Sequence, residues 1–209
     1  MRYFLSILIF IFSLIFSSAY ASESAWSLLE EGGKIIFIRH AYAPGGGDPD
    51  NFVIEDCSTQ RNLNQQGIDQ SISMGQEFSK RDIPIQQVYS SQWCRCKDTA
   101  SYAFGDYQEL SSLNSTFEGE YRQNHQRQIK ELKELIAQWD DTEGNLILVT
   151  HYVIVGGALR YYPNSGELVI TDKNLEVLDS IKTKYSDLCH LYLITHYGNY
   201  RYFVIKNSF

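Results

Sequence analysis

The chain has 209 residues, with 18 lysines and arginines against 25 aspartates and glutamates, and a formal net charge of −7. That length suffices for one domain with a sizeable core. The acidic balance argues against nonspecific nucleic-acid binding, which needs clustered lysine and arginine, yet it leaves room for an anionic substrate, since a few arginines make a local positive pocket.

The chain opens on a basic residue, Arg2, and the apolar stretch FLSILIFIFSLIF over residues 4–16. Ala19 and Ala21 then fall at the small-residue positions of a signal-peptidase site. The run is shorter than the roughly 20 residues of a spanning helix. The expected organisation is a cleaved signal peptide over residues 1–21 and a catalytic domain over 22–209. The protein is then periplasmic or secreted and meets the membrane only during export.

Residues 34–39 read as a buried strand, because apolar residues run together without alternating. Residues 41–60 are loop-like, with Pro44, Gly45-Gly46-Gly47 and Pro49. Asn64 is a good N-cap for a helix running to about Lys80, with Ile68, Ile72 and Phe78 on its inner face. A strand over 87–90 enters a helix over about 92–104, and 105–120 is a second loop. Ile129, Leu132, Leu135, Ile136 and Trp139 mark a long amphipathic helix. Residues 145–150 are another buried strand, followed by His151 and a helix through Leu159. Short strands are expected at 167–170 and 175–178, and a hairpin around Gly198-Asn199. The predicted fold is an α/β three-layer sandwich with a mainly parallel central sheet flanked by helices, plus a C-terminal β-rich extension over 172–209.

Polar residues collect at three strand-to-helix junctions. Arg39 and His40 follow the first strand, Ser90, Ser91 and Arg95 the second, and His151 the third. The crevice at the carboxyl ends of parallel strands is where open α/β sheets bind ligands, so these residues are expected to converge. Arginine offers a rigid fork of N–H donors matched to phosphate oxygens. A neutral imidazole attacks phosphorus and holds a covalent phosphoryl group, while the surrounding cations stabilise transition-state charge.

The segments themselves carry a resemblance. Phe37-Ile38-Arg39-His40-Ala41 is similar to the Arg-His-Gly signature of the histidine phosphatase superfamily, with alanine in the glycine position. Asn62-Leu63-Asn64-Gln65-Gln66-Gly67-Ile68-Asp69-Gln70 resembles its Leu-Thr-x-x-Gly-x-x-Gln helix start. The run from Ser90 to Ala100 resembles its Ser-Ser-x-x-x-Arg-x-x-x-Thr-Ala segment, and Val149-Thr150-His151 its second-histidine strand end. The resemblance implies a metal-independent phosphomonoesterase without cofactor. His40 would be the nucleophile, and Arg39, Arg95 and His151 would bind the phosphoryl group and stabilise the transition state. Arg61 is expected either to add a phosphate or substrate contact or to form a salt bridge at the helix entrance. The general acid is not where either branch of the family has it. Tyr152 stands after His151 where one branch carries aspartate, and Ser115 stands where the other carries glutamate; Glu118 is the candidate acid.

Compact size, the leader and the β-rich end resemble the small exported branch of the family that includes the lipopolysaccharide-core heptose phosphatase. The implied partner is a small-molecule phosphoester or phosphosugar. A noncatalytic phosphate- or phosphosugar-binding module and a phosphotransferase or mutase are the alternatives. Gly45-Gly46-Gly47-Asp48 is not a nucleotide loop, since no Gly-Lys-Ser/Thr follows, and is expected to be a flexible rim. Cys57, Cys94, Cys96 and Cys189 allow three full pairings, with nothing to choose among them. Cys94-x-Cys96 is too tight for the usual zinc spacing.

Overall fold

The computed structural model describes residues 23–183. The leader expected over 1–21, the hairpin expected at Gly198-Asn199 and Cys189 lie outside the described residues. The described chain starts in a helix over residues 23–30 (α1). It continues through β1 (Ile35–Arg39), α2 (Gln65–Lys80), β2 (Ile85–Ser90), α3 (Cys94–Phe104), β3 (Gln108–Glu109), α4 (His125–Gln138), β4 (Asn145–Thr150), α5 (Tyr152–Leu159), β5 (Leu168–Thr171) and β6 (Val177–Ile181).

The strands form one sheet in the order β3-β2-β4-β1-β5-β6. β1 pairs parallel with β4, β4 with β2, and β2 with β3, whereas β5 and β6 add on antiparallel. The central strands show why their apolar runs do not alternate. On β1, Ile36 and Ile38 pack with Trp26 and Leu29 of α1, Met74 and Phe78 of α2 and Ala100 of α3. Ile35 and Phe37 pack on the other face with Ile129, Leu132 and Ile136 of α4 and Ile154 and Val155 of α5. Every side chain of such a strand is buried, whichever way it points. The α/β sandwich with a mainly parallel sheet is therefore the fold.

Three expectations are corrected. The inner face of α2 is Gly67, Gln70, Ser71, Met74 and Phe78, while Ile72 points outward at 38% exposure. Here α2 lies so close to its neighbours that small and polar residues take the contact. The second correction concerns 105–120, expected to be a loop. It contains the two-residue edge strand β3 and a one-turn 3-10 helix at Ser111–Leu113, and a second 3-10 helix follows at Gly119–Asn124. These pieces are too short to show any periodicity. Third, α1 carries buried Ala25, Trp26 and Leu29 and was not anticipated. Elsewhere Asn64 caps α2 as expected, its side chain accepting from the Gly67 amide at 3.1 Å.

The structure also shows one cysteine pair among the described residues. Cys57 is bonded to Cys94, 37 residues away in sequence, and Cys96 is buried and free. Closing a loop of that length contributes on the order of 3–4 kcal/mol. It ties the loop after β1 to the first residue of α3.

Gly67 shows how tightly α2 meets that same loop. A Cβ there would collide with the backbone carbonyl of Tyr42, and backbone cannot step aside as a flexible side chain can. Gly67→Ala is expected to cost about 1–3 kcal/mol, read as a lower thermal midpoint. An unchanged midpoint would show that the helix relaxes away freely.

Candidate active site

The sheet delivers the polar residues to one point through backbone bonds that continue it past the strand ends. The His40 amide donates to the Thr150 carbonyl at 2.9 Å, and the Ser91 amide to Val149 at 2.9 Å. The rings of His40 and His151 stand 5.5 Å apart, centroid to centroid. Together with Arg39, Arg61, Arg95 and Glu118 they line one cavity of about 210 Å³, which Gly45, Gly46, Gly47 and Asp48 also border. All six residues singled out from the sequence thus sit on the same cavity, and the glycines form part of its wall.

His40 is 2% exposed. Its Nδ1 lies 2.8 Å from the carbonyl oxygen of Ala41. A carbonyl only accepts, so the proton is on Nδ1 and the lone pair is on Nε2. Burial and then the charge of Arg95 hold the imidazole pKa well below its usual range, with smaller help from Arg61 and Arg39, against an upward pull from the Ala41 hydrogen bond. The ring is neutral near pH 7, as a nucleophile must be.

His151 is anchored from behind. Its Nε2 lies 3.0 Å from Ser91 Oγ and 3.4 Å from Cys96 Sγ. Ser91 directs its hydroxyl proton at Asn114 Oδ1, which also accepts the Gln92 amide, and Cys96 directs its thiol proton at the Thr150 carbonyl. Both can therefore accept from His151 Nε2–H. Burial pushes the Cys96 thiol pKa up to about 12, so it serves as a neutral packing and hydrogen-bonding group. Burial, Arg95, His40, Arg61 and Arg39 also hold the His151 pKa well below normal.

These two depressed values carry a pH prediction. The unfolded chain takes up protons on both histidines below about pH 6.5, while the folded chain refuses them until lower pH. The stability present at neutral pH is therefore lost as pH falls from about 6.5 toward the folded-state values. Thermal midpoints are expected to fall between pH 7 and pH 5, and to fall less in His40→Gln and His151→Gln. A flat wild-type profile over that range would contradict this.

The resemblance segments acquire physical roles. Thr99 Oγ1 accepts from the Ala41 amide at 2.9 Å and donates to the Arg95 carbonyl at 2.7 Å, joining the two arginine-bearing segments. Gln70, 1% exposed, accepts from the Tyr42 amide at 2.9 Å and donates to the Ser165 carbonyl at 3.0 Å. Alanine at position 41 is accommodated fully buried.

Arg39 donates Nη1 to the Pro163 carbonyl at 3.0 Å, and its guanidinium carbon lies 5.3 Å from the centroid of the Tyr152 ring, a cation–π distance. At the entrance of α2 the Arg61 side chain bonds to backbone carbonyls rather than to a carboxylate. It donates Nε to the Gly47 carbonyl at 2.9 Å and Nη1 to Ala43 at 2.6 Å, so it holds the glycine loop while lining the cavity. Glu118 stands at the N-cap position of the 3-10 helix after it without a side-chain capping bond, and its carboxylate instead accepts the Asp48 amide at 2.8 Å.

Asp48 is the residue the sequence reading missed. Its Oδ1 lies 2.8 Å from Arg95 Nη1 and its Oδ2 3.1 Å from Nη2. The two side chains are only 4% and 3% exposed. Burial pushes the Asp48 pKa up, but hydrogen bonds from Arg95, its charge, the Arg61 amide and the Trp93 indole outweigh this and hold it below the usual carboxylate value. One signal was available, since a buried arginine needs a carboxylate partner. Nothing in the local sequence says which.

Comparison with known proteins bears on the family and the fold. The family model described as the histidine phosphatase superfamily (branch 1) matches residues 35–147, which includes His40, Arg61, Arg95 and Glu118 and ends four residues before His151. The structure of TTHB049 from Thermus thermophilus aligns with a TM-score of 0.50 at 16% identity, over 71% of this chain and 98% of that one. The protein histidine phosphatase SixA complexed with tungstate aligns at 0.48 and 13%, over 74% and 99%. SixA from Agrobacterium tumefaciens aligns at 0.47 and 17%, over 71% and 97%. No curated protein sequence matches the chain.

Proposed function

The chain belongs to the histidine phosphatase superfamily, and from that premise we propose that it is a metal-independent phosphomonoesterase working through a phosphohistidine on His40 Nε2. The observation that carries the reading is the tautomer of His40. A buried imidazole gives its Nδ1 proton to Ala41 and keeps an unprotonated Nε2 in a cavity lined by Arg39, Arg61 and Arg95.

In the first step the Nε2 lone pair forms a bond to phosphorus as the ester P–O bond breaks, and the leaving oxygen takes a proton. The arginines and His151 carry the negative charge of the transferring group. Burial and then the neighbouring cations keep His151 neutral; an arriving dianion favours the charged imidazolium against both, and His151 then acts as a charged donor. In the second step water attacks phosphorus, the N–P bond breaks, and inorganic phosphate leaves. Glu118, on the cavity wall beside Gly47, is the proposed proton donor and, in the second step, the base that takes the proton from water.

The proposed substrate is a phosphorylated small molecule or sugar met outside the cytoplasm, in keeping with the leader-like segment. The small exported branch of the family is the proposed placement. The test is release of phosphate from p-nitrophenyl phosphate by the mature chain in the presence of a chelator. Turnover insensitive to chelator supports the reading. Phosphate binding without turnover of any phosphoester in a panel would favour a binding module, and transfer to an added acceptor without free phosphate would favour a phosphotransferase or mutase.

A further inference from the structure

We propose that Asp48 is a positioning residue that locks the Arg95 guanidinium so that one defined edge, Nε–H with Nη2–H, faces the phosphoryl group. The proposal rests on the phosphatase reading above and adds a residue to it.

The hydrogen-bond donors of Arg95 leave one edge unpaired. A guanidinium has five N–H donors in a planar fork. Asp48 takes one from Nη1 at 2.8 Å and one from Nη2 at 3.1 Å, which is the fork's outer edge. The second Nη1 hydrogen goes to the Arg61 carbonyl at 3.3 Å. Arg95 is 2% exposed, and its Nε is buried with no hydrogen-bond partner among the described residues. What remains is Nε–H and the second Nη2–H, which lie side by side and match two oxygens of a phosphate. An orphaned buried N–H costs free energy, and a bound oxyanion relieves that cost. Arg95 lines the cavity that holds His40.

Asp48 is built to hold this orientation. Besides Arg95 it accepts the Arg61 amide on Oδ1 at 3.0 Å and the Trp93 indole on Oδ2 at 2.9 Å. Its own amide is taken by Glu118 at 2.8 Å. The Cys57–Cys94 bond fixes the residue next to Arg95 to the same loop. A competing view makes Asp48 a plug that phosphate displaces from Arg95. Displacement would strand the Trp93 indole and the Arg61 amide, and it is unnecessary because Arg95 already has a vacant edge.

The experiment compares steady-state kinetics of wild type, Asp48→Asn and Arg95→Ala on p-nitrophenyl phosphate, normalised to folded protein. Asp48→Asn presents an amide N–H to the fork. Its kcat is expected to fall about ten- to hundredfold, the cost of a misplaced catalytic group, with KM moving less than kcat. Asp48→Ala removes the carboxylate, and added formate is expected to restore part of its kcat by occupying the gap, which also decides the matter should the asparagine variant fold poorly. An unchanged or raised kcat in Asp48→Asn, loss of stability alone, or inhibition of Asp48→Ala by formate would each overturn the proposal. Wild-type kcat in Arg95→Ala would instead sink the phosphate-pocket reading beneath it.

Discussion

His40→Ala is expected to lower phosphate release by at least about a thousandfold, since the route through a covalent intermediate is lost and only binding and electrostatic effects remain. The variant should fold. His40 contributes one side-chain hydrogen bond, to the carbonyl of its neighbour Ala41, while its backbone amide remains bonded to Thr150. Because a titratable group is also removed from the buried site, the thermal midpoint should fall less between pH 7 and pH 5 than in the wild type. Loss of turnover together with a flatter pH profile of stability separates a chemical role from a structural one. A variant with wild-type turnover would end the phosphohistidine account.

Arg95→Ala is expected to fail in two ways that can be measured apart. Removing a preorganised donor for transition-state charge costs about 10²–10³ in kcat. Removing one partner of a buried ion pair leaves Asp48 as an uncompensated carboxylate, which costs about 3–5 kcal/mol. The double variant Arg95→Ala with Asp48→Ala removes both charges and should recover much of the thermal midpoint while recovering none of the activity. Equal stability of the single and double variants would show that the Asp48–Arg95 contact is not a buried pair in solution.

The contrast between these residues explains what could be read from sequence. β1 and β4 are legible because the sheet centre buries both faces, and a run such as Ile35-Ile36-Phe37-Ile38 has few other uses. α4 is legible because Ile129, Leu132 and Ile136 repeat at the helical period and are buried as that period requires. Arg39, His40, Arg95 and His151 stand out because strand ends place them without reference to anything distant. Asp48 does not, since its meaning depends on a partner 47 residues away across a loop that carries no periodic signal. The same holds for Ser91 and Cys96 behind His151, whose contacts with the imidazole exist only once the fold brings it to them. Ile72 misled because a helix at close quarters prefers Gly67 and Ser71 to larger apolar groups, which reverses the usual reading of polarity as exposure.

A phosphohistidine on His40 can be trapped during turnover. The purified protein is mixed with p-nitrophenyl phosphate, quenched in denaturant at alkaline pH, where phosphohistidine persists, and digested for mass spectrometry. The account predicts a phosphoryl group on His40, lost on brief exposure to acid and absent from His40→Ala. Turnover with no phosphoryl group on the protein, or with one on Ser90, Ser91 or His151 instead, would contradict it.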